Sequence, residues 1–115
     1  MDESSLLRDR RDELECEDIF FWQDGASGLR AILVIDNSVL GPAAGGIRTR
    51  CYRDDEAALI EVAGLARAMT YKCALGGLSA GGAKAVVIAN GIRDRHAAFE
   101  RLGRFIEELD GRFRT

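Results

Sequence analysis

Lys72 and Lys84 bracket a glycine-rich stretch that reads Lys72-Cys73-Ala74-Leu75-Gly76-Gly77-Leu78-Ser79-Ala80-Gly81-Gly82-Ala83-Lys84. Glycine carries no side chain, so its backbone can come close to another group. A cationic head at each end of such a stretch offers two contacts to an anionic or carbonyl-bearing ligand. Two ammonium groups held together also disfavour each other's charge, which is one route to a neutral amine that can act as a base. The ordinary alternative is a solvated pair of surface lysines flanking a turn. Two details favour chemistry: the chain is rich in arginine and poor in lysine, and each of these lysines adjoins a periodic apolar segment.

The elements that would carry them can be read from pattern. Ile19 to Trp22 is a β-prone apolar patch, Asp24 to Gly28 a turn, and Leu29 to Ile35 a strand apolar on both faces, hence central; the two strands form a hairpin. Gly41 to Gly46 is a bend with the only proline, and Ile47 to Tyr52 a third strand. Asp54 caps a helix with Asp55 and Glu56 in its first turn, where negative charge suits the helix dipole. Leu59, Val62, Ala63, Ala66 and Met69 follow helical spacing, and Ile60 and Leu65 predict burial on more than one side, with Gly64 permitting close helix packing. Lys72 ends this helix. Lys84 to Ala89 is a fourth strand, closed by Asn90-Gly91. A last helix over 94–109 carries the stripe Ala98, Leu102, Phe105, Ile106 and Leu109, and Gly111 stops it. Residues 4–16 form a short amphipathic helix, and the charged segment 1–17 precedes the domain. Alternating strands and helices predict a three-layer α/β/α sandwich with a mixed, mostly parallel sheet.

Composition narrows function. One domain fits 115 residues, and 47% apolar with 30% charged residues is an ordinary globular balance. A net charge of −3 leaves no basic surplus for nucleic acid. No apolar run spans a membrane, and the densely charged start has no apolar core of a secretion signal. Cys16, Cys51 and Cys73 make neither a metal signature nor a disulfide framework and predict free thiols in a cytoplasmic protein. Known loops fail the test of spacing. Gly77 and Gly82 are separated as in a Walker loop, but Ala83-Lys84-Ala85 follows where lysine and a hydroxyl residue belong. G-x-G-x-x-G is absent.

Three segments resemble one family. Leu40-Gly41-Pro42-Ala43-Ala44-Gly45-Gly46-Ile47-Arg48, Met69-Thr70-Tyr71-Lys72 and Leu78-Ser79-Ala80-Gly81-Gly82-Ala83-Lys84 look like the N-terminal, substrate-binding and dimerisation domain of the glutamate/leucine/phenylalanine/valine dehydrogenases, in the family's order and with its step between lysines. The likeness runs from about Asp18 to Thr115 and is nearest to the leucine and phenylalanine enzymes.

That resemblance implies oxidative deamination of an amino acid to its 2-oxo acid and ammonia with NAD or NADP. It implies Lys72 on the substrate α-carboxylate, Lys84 as the catalytic lysine, main-chain contacts at Gly45 and Gly46, and Leu40, Ala44 and Met69 around the substrate side chain. Glutamate enzymes carry a lysine where this chain has Ala44, so an apolar substrate such as leucine, valine or phenylalanine is implied. The family's catalytic aspartate and its Rossmann-type cofactor domain lie beyond the segment resembling Gly111 to Thr115. These 115 residues are therefore expected to hold substrate, to bind no nicotinamide cofactor and no metal, and to be inactive alone. The alternative reading is a non-catalytic homo-oligomerisation module, with Phe20, Phe21 and Trp22 on an edge strand; the same aromatics are slightly better explained as core.

Overall fold

A computed structural model describes residues 14–115. The expected helix over 4–16 lies outside them except for its last three residues, which are not helical; of these, Leu14 and Cys16 pack on the core. Strands β1 (Asp18–Asp24) and β2 (Leu29–Asn37) form the expected hairpin, paired from Asp18↔Ile35 to Asp24↔Leu29. Its turn is held by Asp24, which accepts hydrogen bonds from the Ser27 hydroxyl (2.7 Å) and amide (3.2 Å). Two short strands follow, β3 (Ala43–Ala44) and β4 (Ile47–Arg50), then helix α1 (Asp55–Leu75), β5 (Gly81–Ile88), α2 (Arg95–Glu107) and β6 (Phe113–Arg114).

The sheet runs β1-β2-β5-β3-β6, with β4 also on β5. β2 is central, as its two-sided apolar pattern requires. Three of the five pairings are parallel (β3 and β4 on β5, β6 on β3), while the two long ones, β1 with β2 and β2 with β5, are antiparallel. Ala43 pairs with Gly81 and Ile47 with Ala85, so β3 and β4 keep one register along β5. They are a single strand interrupted at Gly45-Gly46.

Helices cover both faces, giving three layers. On one side Ala58, Leu59, Val62 and Ala66 of α1 pack on Ile32, Val34, Val86 and Ile88. On the other, Ala98 and Leu102 of α2 pack on Leu29, Ala31 and Val87. Burying each large apolar side chain in such a layer contributes about 1.5–3 kcal/mol. Both helices start where the sequence indicates: the carboxylates of Asp54 and Asp94 accept from the amides of Ala57 (2.8 Å) and Ala97 (3.0 Å).

Three expectations change. Ile60 is 48% exposed, so α1 buries one face and not two. Gly64 is exposed as well, and a β-carbon there would meet nothing within 4 Å, so no element among the described residues uses the space it leaves. The strand expected from Lys84 begins earlier, at Gly81. Glycine disfavours strands on propensity, but packing decides here. A β-carbon on Gly81 would overlap the Asn37 carbonyl, and one on Gly82 would overlap the backbone of Thr70. Only bare backbone lets β5 pass between β2 and α1.

Candidate functional site

Lys84 lies on β5 with Gly82, Val86 and Ile88 on the α1 side of the sheet, and it is half-buried among fully buried neighbours. The interrupted strand beside it makes the room. Ala44 pairs with Gly82, and the next residues, Gly45 and Gly46, pass Ala83 and Lys84. At Gly45 a side chain is impossible, because its β-carbon would overlap the Ala83 carbonyl. At Gly46 a β-carbon would stand 3.0 Å from Lys84 Nζ. The amine therefore rests directly over a bare main chain.

Helix α1 arrives from above. Its contact with Gly82 is made by Thr70, whose hydroxyl donates to the Asp36 carboxylate at 2.6 Å. Asp36 sits at the irregularity in β2 between Ile35 and Asn37, where the pairing with β5 shifts register. This ties the last turns of the helix to the start of β5. Met69 is half-buried next to Thr70, and Lys72 follows in the final turn, exposed. The Gly76 amide closes that turn by donating to the Lys72 carbonyl at 3.0 Å. A lysine in the last turn also suits the negative end of the helix dipole. Leu40 is 52% exposed in the connection before β3, which is pinned to β5 by the Gly81 amide donating to the Gly41 carbonyl at 3.3 Å.

Thus Ala44, Gly45, Gly46 and Lys84 adjoin one another, Met69 flanks the contact that seats the helix, and Lys72 and Leu40 stand on segments anchored to the same end of β5. The glycines at 81 and 82 do not fit a phosphate cradle, since the backbones of Asn37 and Thr70 already fill the space they leave. Asp94 caps a helix and Asp110 stands exposed after α2, so neither joins this cluster.

Sequence reasoning missed the polar network next to it. Glu61 Oε1 on α1 accepts from Arg48 Nη1 and Arg50 Nη1 of β4, each at 2.9 Å. Tyr52 packs on the α1 core with Arg50 over its ring. Its backbone is held at both amide groups by the Asn90 side chain, at 3.0 and 3.1 Å. The Tyr52 hydroxyl and Glu61 Oε2 are both buried and have no hydrogen bond of regular geometry. They nonetheless act on each other: burial, then the Glu61 carboxylate, pushes the Tyr52 phenol up to about 12, and the phenol, followed by Arg48, lowers Glu61. An Asn-Gly closing a strand signals a turn, and nothing in that signal points to Tyr52.

Comparison with known proteins identifies the family. Residues 11–114 match the family model described as Glu/Leu/Phe/Val dehydrogenase, dimerisation domain. The chain belongs to that family. It is 45% identical over 105 residues to the leucine dehydrogenase of Bacillus cereus, covering 90% of this chain and 29% of that enzyme. It is 42% identical over 102 residues to the phenylalanine dehydrogenase of Caldalkalibacillus thermarum, covering 88% and 28%. The L-tryptophan dehydrogenase structure from Nostoc punctiforme superposes with a TM-score of 0.85 at 38% identity, over 95% of this chain and 32% of that one. The chain thus spans under a third of the length of the relatives it matches.

Proposed function

We propose that this domain binds the amino acid or 2-oxo acid of an NAD(P)-dependent oxidative deamination, with an apolar substrate such as leucine, valine or phenylalanine. The observation that carries the reading is the Lys84 amine resting against Gly46, next to Gly45, where no side chain fits. Lys72 gives a point charge for the substrate α-carboxylate. The main chain at Gly45 and Gly46 contacts the substrate, and Leu40, Ala44 and Met69 line the place of its side chain. Ala44 offers no cation to a second carboxylate, which favours an apolar substrate over glutamate. In its neutral form Lys84 accepts a proton from water adding to the C=N carbon of the imino acid, whose π electrons pass to nitrogen. As an ammonium it donates to the 2-oxo oxygen and stabilises charge building there.

The nicotinamide cofactor supplies hydride chemistry when bound. The described residues do not fit it, because the glycines that might cradle its phosphates enclose the chain's own backbone. These 115 residues therefore hold substrate and oxidise nothing by themselves, in a cytoplasmic setting that three free thiols suit.

Calorimetric titration with the 2-oxo acid of leucine tests this. Saturable binding that weakens on the order of tenfold or more in Lys72→Ala supports the reading, since a charge-assisted contact is worth about 1.5–3 kcal/mol. Equal affinity in that variant, or no binding to the parent chain, removes it. NADH formation by this polypeptide from NAD and leucine would contradict the account of what it lacks.

A second role rests on β1. Its far edge is unpaired among the described residues, and the family model is described as a dimerisation domain. A homo-oligomer formed by pairing that edge with a second copy follows. Trp22 also serves the chain's own core, stacking on Phe105 at 5.3 Å. Sedimentation showing a monomer at every concentration would rule the assembly out.

A further inference from the structure

Gly45 and Gly46 can lie against Lys84 only while β3 and β4 stay in register on β5, yet these strands have two and four residues. Beyond β4, the sheet path offers no further strand among the described residues to hold it. What grips it is α1. Glu61 takes both arginines of β4 through one oxygen and turns its other oxygen into the buried space shared with Tyr52. Just past β4, Asn90 fixes Tyr52 by two hydrogen bonds, and the Ala89 amide donates to the Arg50 carbonyl at 2.9 Å.

Glu61 and Lys72 are eleven residues apart on one helix. That is about three turns and about 16 Å, which returns both to one stripe. The helix is also seated at its far end by Thr70 on Gly82. A rigid rod clamped at Glu61 and at Thr70 therefore sets the distance between the β4 backbone, Lys84 and Lys72 together.

We propose that Glu61, with Arg48, Arg50 and Tyr52, is the positioning device of the Lys84 site, holding β4 on α1 so that Gly46 stays against the Lys84 amine. It touches no substrate and acts through the strand. The inference deepens the substrate-binding reading and rests on it for its consequence, but the clamp itself is measurable without any ligand.

The chain has only two lysines, so a chain labelled with ε-13C-lysine gives two side-chain signals, separable by Lys72→Arg. The half-buried Lys84 signal is expected away from the free-lysine position and the exposed Lys72 signal close to it. In Glu61→Gln, which keeps size but loses the charge, Lys84 moves toward the free-lysine position while Lys72 does not. Arg50→Gln and Tyr52→Phe are milder variants that retain the fold and shift Lys84 in the same direction by less. Arg30→Gln breaks a separate sheet-to-α1 ion pair, Arg30 with Asp55. It serves as the control for generic loosening and leaves Lys84 in place. Affinity for the 2-oxo acid of leucine falls on the order of tenfold in Glu61→Gln, as displacement of a preorganised contact should cause.

A Lys84 signal unmoved in all three clamp variants, or moved equally by Arg30→Gln, overturns the proposal. If the parent chain binds no 2-oxo acid, the substrate reading fails while the Lys84 signal still decides the clamp. If the parent binds and the variants bind equally, the clamp fails and the substrate reading stands.

Discussion

The two faces of the sheet are built on opposite plans. On the α1 side small residues bring helix and strands together: Ala58 and Ala66 are fully buried, Thr70 lies on Gly82, and the ties are polar, from Thr70 to Asp36 and from Arg48 and Arg50 to Glu61. On the α2 side the space is filled by bulk, with Leu102 buried and the rings of Trp22 and Phe105 stacked 4° from parallel. Close backbone approach leaves the Lys84 amine over bare glycine but tolerates no added atoms. A bulky face supplies burial and can repack. The proposed chemistry sits on the first plan, while both faces bury large apolar side chains, Leu59 and Val62 on one and Leu29 and Leu102 on the other.

The sharpest way to break the contrast is one substitution on each face. Gly82→Val places side-chain atoms inside the Thr70 backbone, which cannot move without lifting α1. A loss of about 3 kcal/mol or more, or failure to fold, is expected in urea denaturation. A cost under about 1 kcal/mol would mean that the helix is not seated there. Leu102→Ala removes a buried side chain from the α2 layer and should cost about 2–5 kcal/mol while leaving the Lys84 environment unchanged.

A smaller effect distinguishes the polar ties of the α1 face. Tyr52 titrates from an ordinary value of 10.0 in the unfolded chain to about 12 in the fold. The folded state holds this proton more tightly, so the stabilisation is complete below pH 10 and is lost as pH rises through about 12. Thermal denaturation should show that decline, and Tyr52→Phe should flatten it. Glu61 contributes in the opposite direction. Its carboxyl is lowered from 4.5, so its share is present above that value and lost as pH falls below it.

The smallest effect reverses sign. Gly64 is helical and exposed, and among the described residues none lies in reach of a β-carbon there. Gly64→Ala should therefore raise stability by up to about 1 kcal/mol. Destabilisation would show that the outer face of α1 meets something there.

Which parts of this were legible follows from the range of the interactions. The caps at Asp54 and Asp94 and the hairpin turn at Asp24 are local, set within three residues, and stand where the sequence puts them. The strand start at Gly81 was not legible, because the reason for its glycines is the backbone of Asn37 and Thr70, far along the chain. Ile60 looks like core by composition and lies outside it, since helical spacing widens a stripe without saying how much of it is covered. The adjacency of Gly46 and Lys84 was readable only through the family pattern. The Asn90–Tyr52 tie crosses 38 residues and has no local signature at all.

The central claim is that the two amines share one cleft, and the chain's lysine content makes it directly measurable. A short amine-to-amine cross-linker applied to dilute chain, followed by peptide mapping, should give a bridge between Lys72 and Lys84 of the same polypeptide, suppressed by the 2-oxo acid of leucine. Links from either lysine only to the N-terminal amine or to a second chain, with no Lys72–Lys84 bridge, would contradict it.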